Sequence, residues 1–484
     1  MGGAAHKPRR AWLASAGLTL GLCAACGSDS QPPAAGAPPH VVLIVADDLG
    51  WGDVGYHGSR IRTPNIDRLA REGIELDRFY TSPICSPSRA ALLTGRYPIR
   101  FGLGRAVVAP WRDFGLDVDE VTLPQVLGRA GYRHRALFGK WHLGHLRWQW
   151  HPLERGFTHF HGFLNGAVDY FTQVREGERD WHLDRAPLVE EGYATDLIAD
   201  AACRFIREHA SEGPLLVTVA FGAPHPPFQA PEAYLEQYDD LPQEGGQPGL
   251  RQVRAAMITC MDAGIGRILG ALDSAGIAQD TLVWFLSDNG ATAFDNESCA
   301  PLRGGKHDLF EGGIRVPSCV RWPRGLSRGR SVETPTAIQD VLPTLMRISG
   351  IAGSGGPPLD GSDLLDVLRG ERPGIDRELF FYIGQDGAER EKLALLAPPW
   401  KLVVLGPSLL ESEHGERRQR LLFDILDDPQ ERTDRSTDEP QLVEQLTRRL
   451  IEFRSLEPAD AIAPYEEGAE GFVAPRDWIP GRPR

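Results

Sequence analysis

The sequence predicts an α/β fold, in which helices cover both faces of a large mixed sheet, followed by a smaller C-terminal α+β domain. Apolar strand-like runs alternate with amphipathic helical segments, and four of these runs end directly at polar residues. From about residue 375 short strand-like runs follow one another, and an amphipathic helix is expected over residues 440–453. The composition, 42% hydrophobic and 24% charged over 484 residues, is globular and excludes collagen, coiled coil and wholesale disorder.

Four apolar runs are expected to form the centre of the large sheet, and each is followed by polar residues whose side chains can bind a ligand or act in catalysis. The runs span residues 40–46, 133–138, 215–221 and 281–287 and lead to Asp47-Asp48, Lys140-Trp141-His142, Pro224-His225-Pro226 and Asp288-Asn289-Gly290. One such end alone is more typical of a turn. Four together predict one convergent site, because ligands bind at the carboxyl ends of strands in open α/β sheets.

Helices are expected to connect and cover these strands. Thr63 offers an N-cap before Pro64 at the first helical position, and Gly73 ends that helix. Residues 194–209 and 251–272 carry apolar residues at helical spacing and should pack on the sheet.

The segment CSPSRAALLTGR at residues 85–96 predicts a short helix with an unusual start. Ser86 is predicted to cap a helix that begins at Pro87 and ends at Gly95. Cys85 then lies just before a helix N-terminus, where free N–H groups favour an anion, and Arg89 lies one turn further on. A buried Cys beside a capped helix would explain Cys85 alone, but not Pro87 and Arg89 at these offsets together with four polar strand ends.

These motifs closely resemble those of the type I sulfatases, whose C-x-P-x-R motif has its Cys oxidised to Cα-formylglycine. The resemblance covers residues 40–435 and lies in CSPSRAALLTGRYP (85–98), GKWHLG (139–144), SDNG (287–290), GGKHDLFEGGIRVP (304–317) and LFDILDDPQE (422–431). The motif sequences are most similar to those of bacterial arylsulfatases and the N-acetylgalactosamine-6-sulfatase branch. It implies the alkaline-phosphatase-like sulfatase fold, with a catalytic domain over 40–374 and a C-terminal domain with an antiparallel sheet and a terminal helix over 375–484.

The resemblance implies a calcium site at the strand ends. The implied metal residues are Asp47, Asp48, Cys85, Asp288 and Asn289. The residue types agree, because a hard cation prefers carboxylate and amide oxygens, and three carboxylates suit a divalent ion that faces a sulfate anion.

The resemblance also implies the nucleophile and its helpers. Cys85, converted to formylglycine by a maturation enzyme, would attack sulfur as an aldehyde hydrate. Arg89 would stabilise the hydrate, and His142 would act as the base that expels sulfate and restores the aldehyde.

Three further residues are implied to handle the sulfate group. Lys140 and Lys306 would hold its oxygens, and His225 would bind it and help Lys306 to protonate the leaving alcohol. Arg303 and His307, which flank Lys306, are predicted to contact the substrate.

The predicted function is therefore hydrolysis of a sulfate monoester, either an aryl sulfate or a sulfated sugar. A phosphonate or phosphodiester hydrolase is the alternative within the same superfamily, and a non-catalytic lipoprotein that binds sulfated glycans is the other. The net charge of −14 disfavours nucleic acid as a partner. Six arginines and no acid lie between Asp77 and Asp113, so a local positive field is expected to draw a small or terminal anionic ester.

The N-terminus is predicted to direct export. A basic start and the apolar residues 11–25 are typical of a signal peptide over residues 1–25. The sequence LCAACG at 22–27 resembles a lipobox, which implies a lipid anchor on Cys26, a flexible linker over 26–39 and a periplasmic or outer cell-surface location. Ordinary cleavage near Ala25 is the alternative. Cys299 and Cys319 could form a disulfide or stay as buried thiols, and the oligomeric state is left open.

Overall fold

A computed structural model describes residues 38–481 except 242, 245–246, 293–296 and 412–416. The predicted signal peptide, Cys26 and most of the predicted linker lie outside the described residues. The described residues from 38 onward form one compact unit.

The helices follow the predicted pattern closely. In chain order they are α1 (Pro64–Glu72), α2 (Cys85–Thr94), α3 (Leu123–Arg129), α4 (Ala194–His209), α5 (Glu232–Leu235), α6 (Leu250–Ser274), α7 (Glu311–Ile314), α8 (Val341–Ile348), α9 (Leu365–Arg369) and α10 (Pro440–Arg454). Helix α1 begins at Pro64 and ends before Gly73, as predicted. Helix α6 is long and apolar enough to cross a membrane by composition, but most of its apolar stretch is buried inside the protein.

The strands build one large sheet and several small ones. In chain order they are β1 (His40–Ala46), β2 (Ile74–Leu76), β3 (Phe79–Tyr80), β4 (His134–Lys140), β5 (His159–Phe163), β6 (Val174–Arg175), β7 (Glu178–Arg179), β8 (His182–Leu183), β9 (Ala186–Pro187), β10 (Leu215–Ala220), β11 (Gln243–Glu244), β12 (Gln247–Pro248), β13 (Thr281–Ser287), β14 (Arg315–Val316), β15 (Ser318–Arg321), β16 (Arg330–Val332), β17 (Thr336–Ala337), β18 (Leu379–Ile383), β19 (Glu391–Ala397), β20 (Trp400–Gly406) and β21 (Gln419–Asp424). Within the described residues the large sheet is mixed, with the order β16-β2-β15-β13-β1-β10-β4-β5-β8-β9.

The four predicted central strands are neighbours. Strand β1 pairs in parallel with β13 on one side and with β10 on the other, and β10 pairs in parallel with β4. All four carboxyl ends therefore lie at the same edge of the sheet, which confirms the expected convergence. Strand β4 runs on to Lys140, two residues beyond its predicted end.

Side chains of the central strands alternate between two cores. Val41, Leu43 and Val45 of β1 belong to the core that also holds residues of α2, α3 and α8. Val42 and Ile44 belong to the opposite core, beneath α1, α4 and α6. Helices thus cover both faces of the sheet. Burial of each Val, Leu or Ile side chain contributes roughly 1.5–3 kcal/mol to the free energy of folding.

The C-terminal part contains the predicted antiparallel sheet and final helix. Strands β18, β19, β20 and β21 pair antiparallel in that order. Helix α10 packs on this sheet through Leu446 and Leu450, which share a core with residues of β19 and β20. The buried ammonium group of Lys401 on β20 lies 2.9 Å from Glu311 of α7 and 2.9 Å from Glu431, and so ties the small sheet to the region of the large one.

One alternative left open by the sequence is decided, and one expectation is wrong. Cys319 is a free buried thiol on β15, so of the two alternatives for Cys299 and Cys319 the structure has the buried thiols. Helix α2 begins at Cys85 and Ile84 is its N-cap, so Ser86 does not cap it. Because the helix begins one residue earlier, Ser86 lies within its first turn, and its hydroxyl instead donates to the His142 carbonyl at 2.9 Å and accepts from the Val108 amide at 3.0 Å.

Candidate active site

The ends of β1 and β13 bring the predicted acidic residues together. Asn289 Nδ2 donates to Asp48 Oδ1 at 2.7 Å, and the Asp48 amide lies 3.3 Å from Asp288 Oδ1. Ser287 fixes both turns, because its hydroxyl accepts from the Leu49 amide at 3.0 Å and donates to the Asn289 carbonyl at 2.9 Å. These side chains are fully buried. We call Asp47, Asp48, Cys85, Asp288 and Asn289 the site floor.

Helix α2 places Cys85 against the carboxylates. Gly95 ends this helix with a left-handed backbone, φ 67°, as predicted, and its amide donates to the Ala91 carbonyl. At the other end, Cys85 Sγ lies 3.4 Å from Asp47 Oδ1 and 3.5 Å from Lys306 Nζ. Burial raises the pKa of the Cys85 thiol above its usual range, so an unmodified thiol here is a poor nucleophile.

Three cations compensate the carboxylates. Lys140 pairs with Asp47, and Lys306 Nζ lies 2.7 and 2.9 Å from the two carboxylate oxygens of Asp48. Arg89 Nε donates to Asp288 at 2.9 Å. Its Nη1 donates to the Lys140 carbonyl at 3.0 Å.

The pKa values of two floor carboxylates are shifted in opposite directions. Burial alone would raise the pKa of Asp48, but the charge of Lys306 holds that pKa well below its usual range. Burial raises the pKa of Asp288 to about 6, and the charge of Asp47 adds to this rise. The floor thus holds carboxylates of different pKa beside buried cations.

The two predicted catalytic histidines lie above the floor with defined hydrogen bonds. His142 Nε2 lies 3.2 Å from the Val108 carbonyl and therefore carries a proton, while its buried Nδ1 has no hydrogen-bond partner among the described residues. His225 Nδ1 donates to the Pro226 carbonyl at 2.6 Å, which leaves Nε2 4.0 Å from Asp48 Oδ2. Burial, followed by the charge of Lys306, lowers the pKa of His225 to about 3.

The donor set fits a hard divalent cation. Asp47, Asp48, Cys85 and His225 each offer one ligand atom within 4.8 Å of the others. The Oδ1 atom of Asn289 is buried and accepts no hydrogen bond from any described residue, as expected for an oxygen that serves an ion. Carboxylate and amide oxygens are the ligands that Ca²⁺ prefers.

A cavity of about 270 Å³ opens above Cys85. His142, His225 and Lys306 line it, and so does His307, as predicted. Arg303 takes a different position, because its guanidinium stacks 3.8 Å from the Phe310 ring and bonds to the Glu431 carbonyl.

Three further polar residues line this cavity without having been expected from the sequence. Arg175 comes from the β6–β7 hairpin, Gln385 from the loop after β18, and Tyr465 from the segment after α10. No local pattern marks them, since each is a single polar residue in a short hairpin or a loop.

The residues 39–351 match the family model described as Sulfatase. The chain belongs to the sulfatase family. It is 37% identical over 380 residues to the N-acetylgalactosamine-6-sulfatase of Rattus norvegicus, covering 72% of this chain and 70% of that protein. It is 32% identical over 475 residues to arylsulfatase J of Mus musculus, covering 88% of this chain and 78% of that protein.

Solved structures share the fold of this chain. The sulfatase-family chain superposes on Ps i-CgsB, solved in complex with k-i-k-neocarrahexaose, with a TM-score of 0.78, 28% identity and coverage of 88% of this chain and 95% of that one. The phosphonate monoester hydrolase of Agrobacterium radiobacter shares the fold, with a TM-score of 0.60 and 23% identity over 88% of this chain and 97% of that one. The chain is accordingly a sulfuric ester hydrolase with the alkaline-phosphatase-like fold of its family.

Proposed function

We propose that this sulfatase hydrolyses a sulfate monoester, of an aryl alcohol or a sugar, with Cα-formylglycine at position 85 and Ca²⁺ on the site floor. The observation that carries the proposal is the position of Cys85, which lies between the carboxylate of Asp47 and the ammonium group of Lys306 at the base of the cavity. When present, the ion would supply positive charge beside the sulfate group, and the formylglycine hydrate would supply the hydroxyl that attacks sulfur.

The lysines bind and orient the sulfate group. Lys140 and Lys306 are buried cations beside residue 85, and their Nζ atoms are fixed by Asp47 and Asp48. Because they are already desolvated and held in place, they stabilise charge that develops on sulfate oxygens without reorganising. Lys306 also faces the cavity, and its ammonium group is placed to protonate the leaving alcohol. His225, whose Nδ1 proton is bonded to the Pro226 carbonyl, can assist only after Nε2 gains a proton.

His142 and Arg89 act on residue 85 itself. With its proton on Nε2, His142 keeps a lone pair on Nδ1, which suits a base that takes a proton from a hydroxyl of residue 85. The guanidinium of Arg89 pairs with Asp288 and lies one helical turn beyond residue 85, so it helps to hold a hydrated side chain in one orientation.

Mass spectrometry across residue 85 tests the nucleophile. We expect the peptide from the native host to carry formylglycine, and Cys85→Ala to reduce hydrolysis of 4-nitrophenyl sulfate to background. Cys203→Ala is the matched control, because that thiol is also buried but lies on α4. An active preparation with an unmodified thiol throughout would refute this nucleophile. Full activity of Cys85→Ala would refute it as well, and lack of turnover in the mature wild type would favour the glycan-binding alternative.

Chelation tests the ion separately. We expect EGTA to abolish activity and added Ca²⁺ to restore it, and a direct calorimetric titration with Ca²⁺ to lose its heat in Asn289→Leu. Unchanged binding in this variant would contradict the assignment of Asn289.

Comparison of kcat/KM on aryl sulfate and aryl phosphodiester substrates tests the reaction class. We expect the sulfate ester to be preferred, and a large preference for the phosphodiester would favour the alternative hydrolase.

We further propose export and lipid attachment through Cys26, supported by the leader and lipobox in the sequence. Palmitate labelling of the protein in its host should be lost in Cys26→Ser. Unchanged labelling, or none in the wild type, would contradict the anchor. The maturation enzyme that oxidises Cys85 is the protein partner that this proposal requires.

A further inference from the structure

The chain's last described segment shapes the mouth of the cavity. We call residues 456–481 the C-terminal tail. Its Tyr465 amide donates to the Gln385 carbonyl at 2.9 Å, and its carbonyl accepts from Trp111 Nε1 at 3.2 Å. The Trp111 ring also meets the Tyr465 ring edge-on at 5.2 Å. Backbone bonds and ring packing thus fix Tyr465 at the cavity wall.

The same tail holds the hairpin that carries Arg175. Trp478 Nε1 donates to the Arg175 carbonyl at 2.9 Å, and the Asp477 amide donates to Glu178 at 3.1 Å. The hairpin turns tightly at Glu176 and Gly177, which both have positive φ, so β6 has little freedom to move. Trp478 is fully buried, which anchors this contact.

The Arg175 side chain has unused hydrogen-bonding capacity at the cavity. Its Nε lies 3.3 Å from Glu176 Oε1, but Nη1 and Nη2 make no hydrogen bond to any part of the chain that the structure describes. The side chain is 28% exposed and lines the same cavity as Cys85 and Lys306. No carboxylate is among the described residues that line this cavity. A guanidinium in such a place presents paired donors that match a carboxylate or sulfate group.

We propose that Arg175 is a specificity residue that binds a second anionic group on the alcohol portion of the substrate. The preferred substrate is then a terminal saccharide unit with an acidic group, either a second sulfate or a carboxylate, next to the sulfate ester that is cleaved. The cavity of about 270 Å³ is small, so the second anionic group is expected on the same unit as the cleaved sulfate or on the unit next to it. This inference rests on the proposed sulfatase reaction at residue 85.

Three substrates and a matched pair of variants test the role of Arg175. The substrates are a hexose 6-sulfate, the same hexose with a second sulfate, and the same sulfated hexose linked to a uronic acid. We expect wild-type kcat/KM to favour at least one doubly anionic substrate over the hexose 6-sulfate by about 10- to 100-fold, mostly through KM. Arg175→Gln should remove this preference, and Arg175→Lys should keep only part of it, because lysine lacks the paired donors.

The control is Arg179→Gln, on the other strand of the same hairpin, which does not line the cavity. It should keep the wild-type preference. Equal kcat/KM for all three substrates in the wild type, or an unchanged preference in Arg175→Gln, would overturn the inference. Turnover of 4-nitrophenyl sulfate, which has no second anionic group, reports on the reaction itself and should be equal in the wild type and Arg179→Gln. Its absence in the wild type would count against the proposed function rather than against Arg175.

Discussion

Replacement of Lys306 by Met should remove most of the catalytic rate. Its Nζ lies 3.5 Å from Cys85 Sγ and 2.7 Å from Asp48, so the ammonium group reaches both residue 85, the proposed nucleophile, and the Asp48 carboxylate. Met keeps the length and apolar contacts of the side chain but has no charge. Removal of one preorganised donor from a buried site typically costs about 2.7–4 kcal/mol, or roughly 10²–10³ in kcat. We expect kcat to fall by that amount and KM to change little, because the lost charge acts mainly on charge that develops in the reaction.

Initial rates with 4-nitrophenyl sulfate at saturating Ca²⁺ measure this loss. Lys392→Met is the control, since that ammonium group contacts the His307 carbonyl and Asp308, 2.8 and 2.9 Å away, and does not line the cavity. It should keep wild-type kcat. A fall in kcat of less than about tenfold, which is 1.4 kcal/mol, in a Lys306→Met protein of wild-type thermal stability would refute the assigned role.

Two other positions give predictions away from the sulfate group itself. A Cβ at Gly166 would lie 2.6 Å from Cε1 and Nε2 of His142, so Gly166→Ala should displace the imidazole and lower kcat by at least about tenfold. Gly270→Ala is the control and should keep the wild-type kcat, because the space around its Cβ is open. Equal kcat in the two variants would contradict this prediction. Burial lowers the pKa of His151 to about 3, so the folded state stays neutral while the unfolded state gains a proton below about pH 6.5, and stability is lost as pH falls. His151→Asn keeps an acceptor for the Leu153 amide. Between pH 6.5 and 4.5 its free energy of unfolding, measured with urea, should fall by about 2 kcal/mol less than that of the wild type. An identical fall in both proteins would show that His151 does not titrate this way.

The sequence was most informative where chemistry follows regular structure. The polar residues Asp47, Asp48 and Asp288 come directly after buried strands β1 and β13, and parallel pairing of those strands is enough to bring them together. The register of β1 between β10 and β13 then determines which residues meet. Such a site is predictable because the distance between its parts is set by strand spacing and not by loop conformation.

The remaining features depend on contacts between distant segments. Ser86 has the sequence context of an N-cap, but its hydroxyl bonds to groups 22 and 56 residues away, which no local pattern predicts. The C-terminal tail reaches Arg175 with Trp478, 303 residues later. Loop conformations and long-range side-chain bonds of this kind depend on the assembled fold. They position Arg175 and Tyr465 at the wall of the cavity.

The net charge of the whole chain does not indicate the charge of the substrate, because the charges at the site floor are locally balanced. The whole chain carries −14, yet the three carboxylates Asp47, Asp48 and Asp288 are matched by the cations Lys140, Lys306 and Arg89. With a divalent cation in place the local group would carry two positive charges. A sulfate monoester brings one negative charge and an ionised hydroxyl at residue 85 brings another, so the sum is zero. A phosphate monoester dianion would leave one uncompensated negative charge in a buried site, which is costly. If the site holds the proposed ion, this charge sum favours a sulfate monoester over a phosphate monoester dianion, and it does not distinguish a sulfate ester from a phosphodiester, which is also a monoanion.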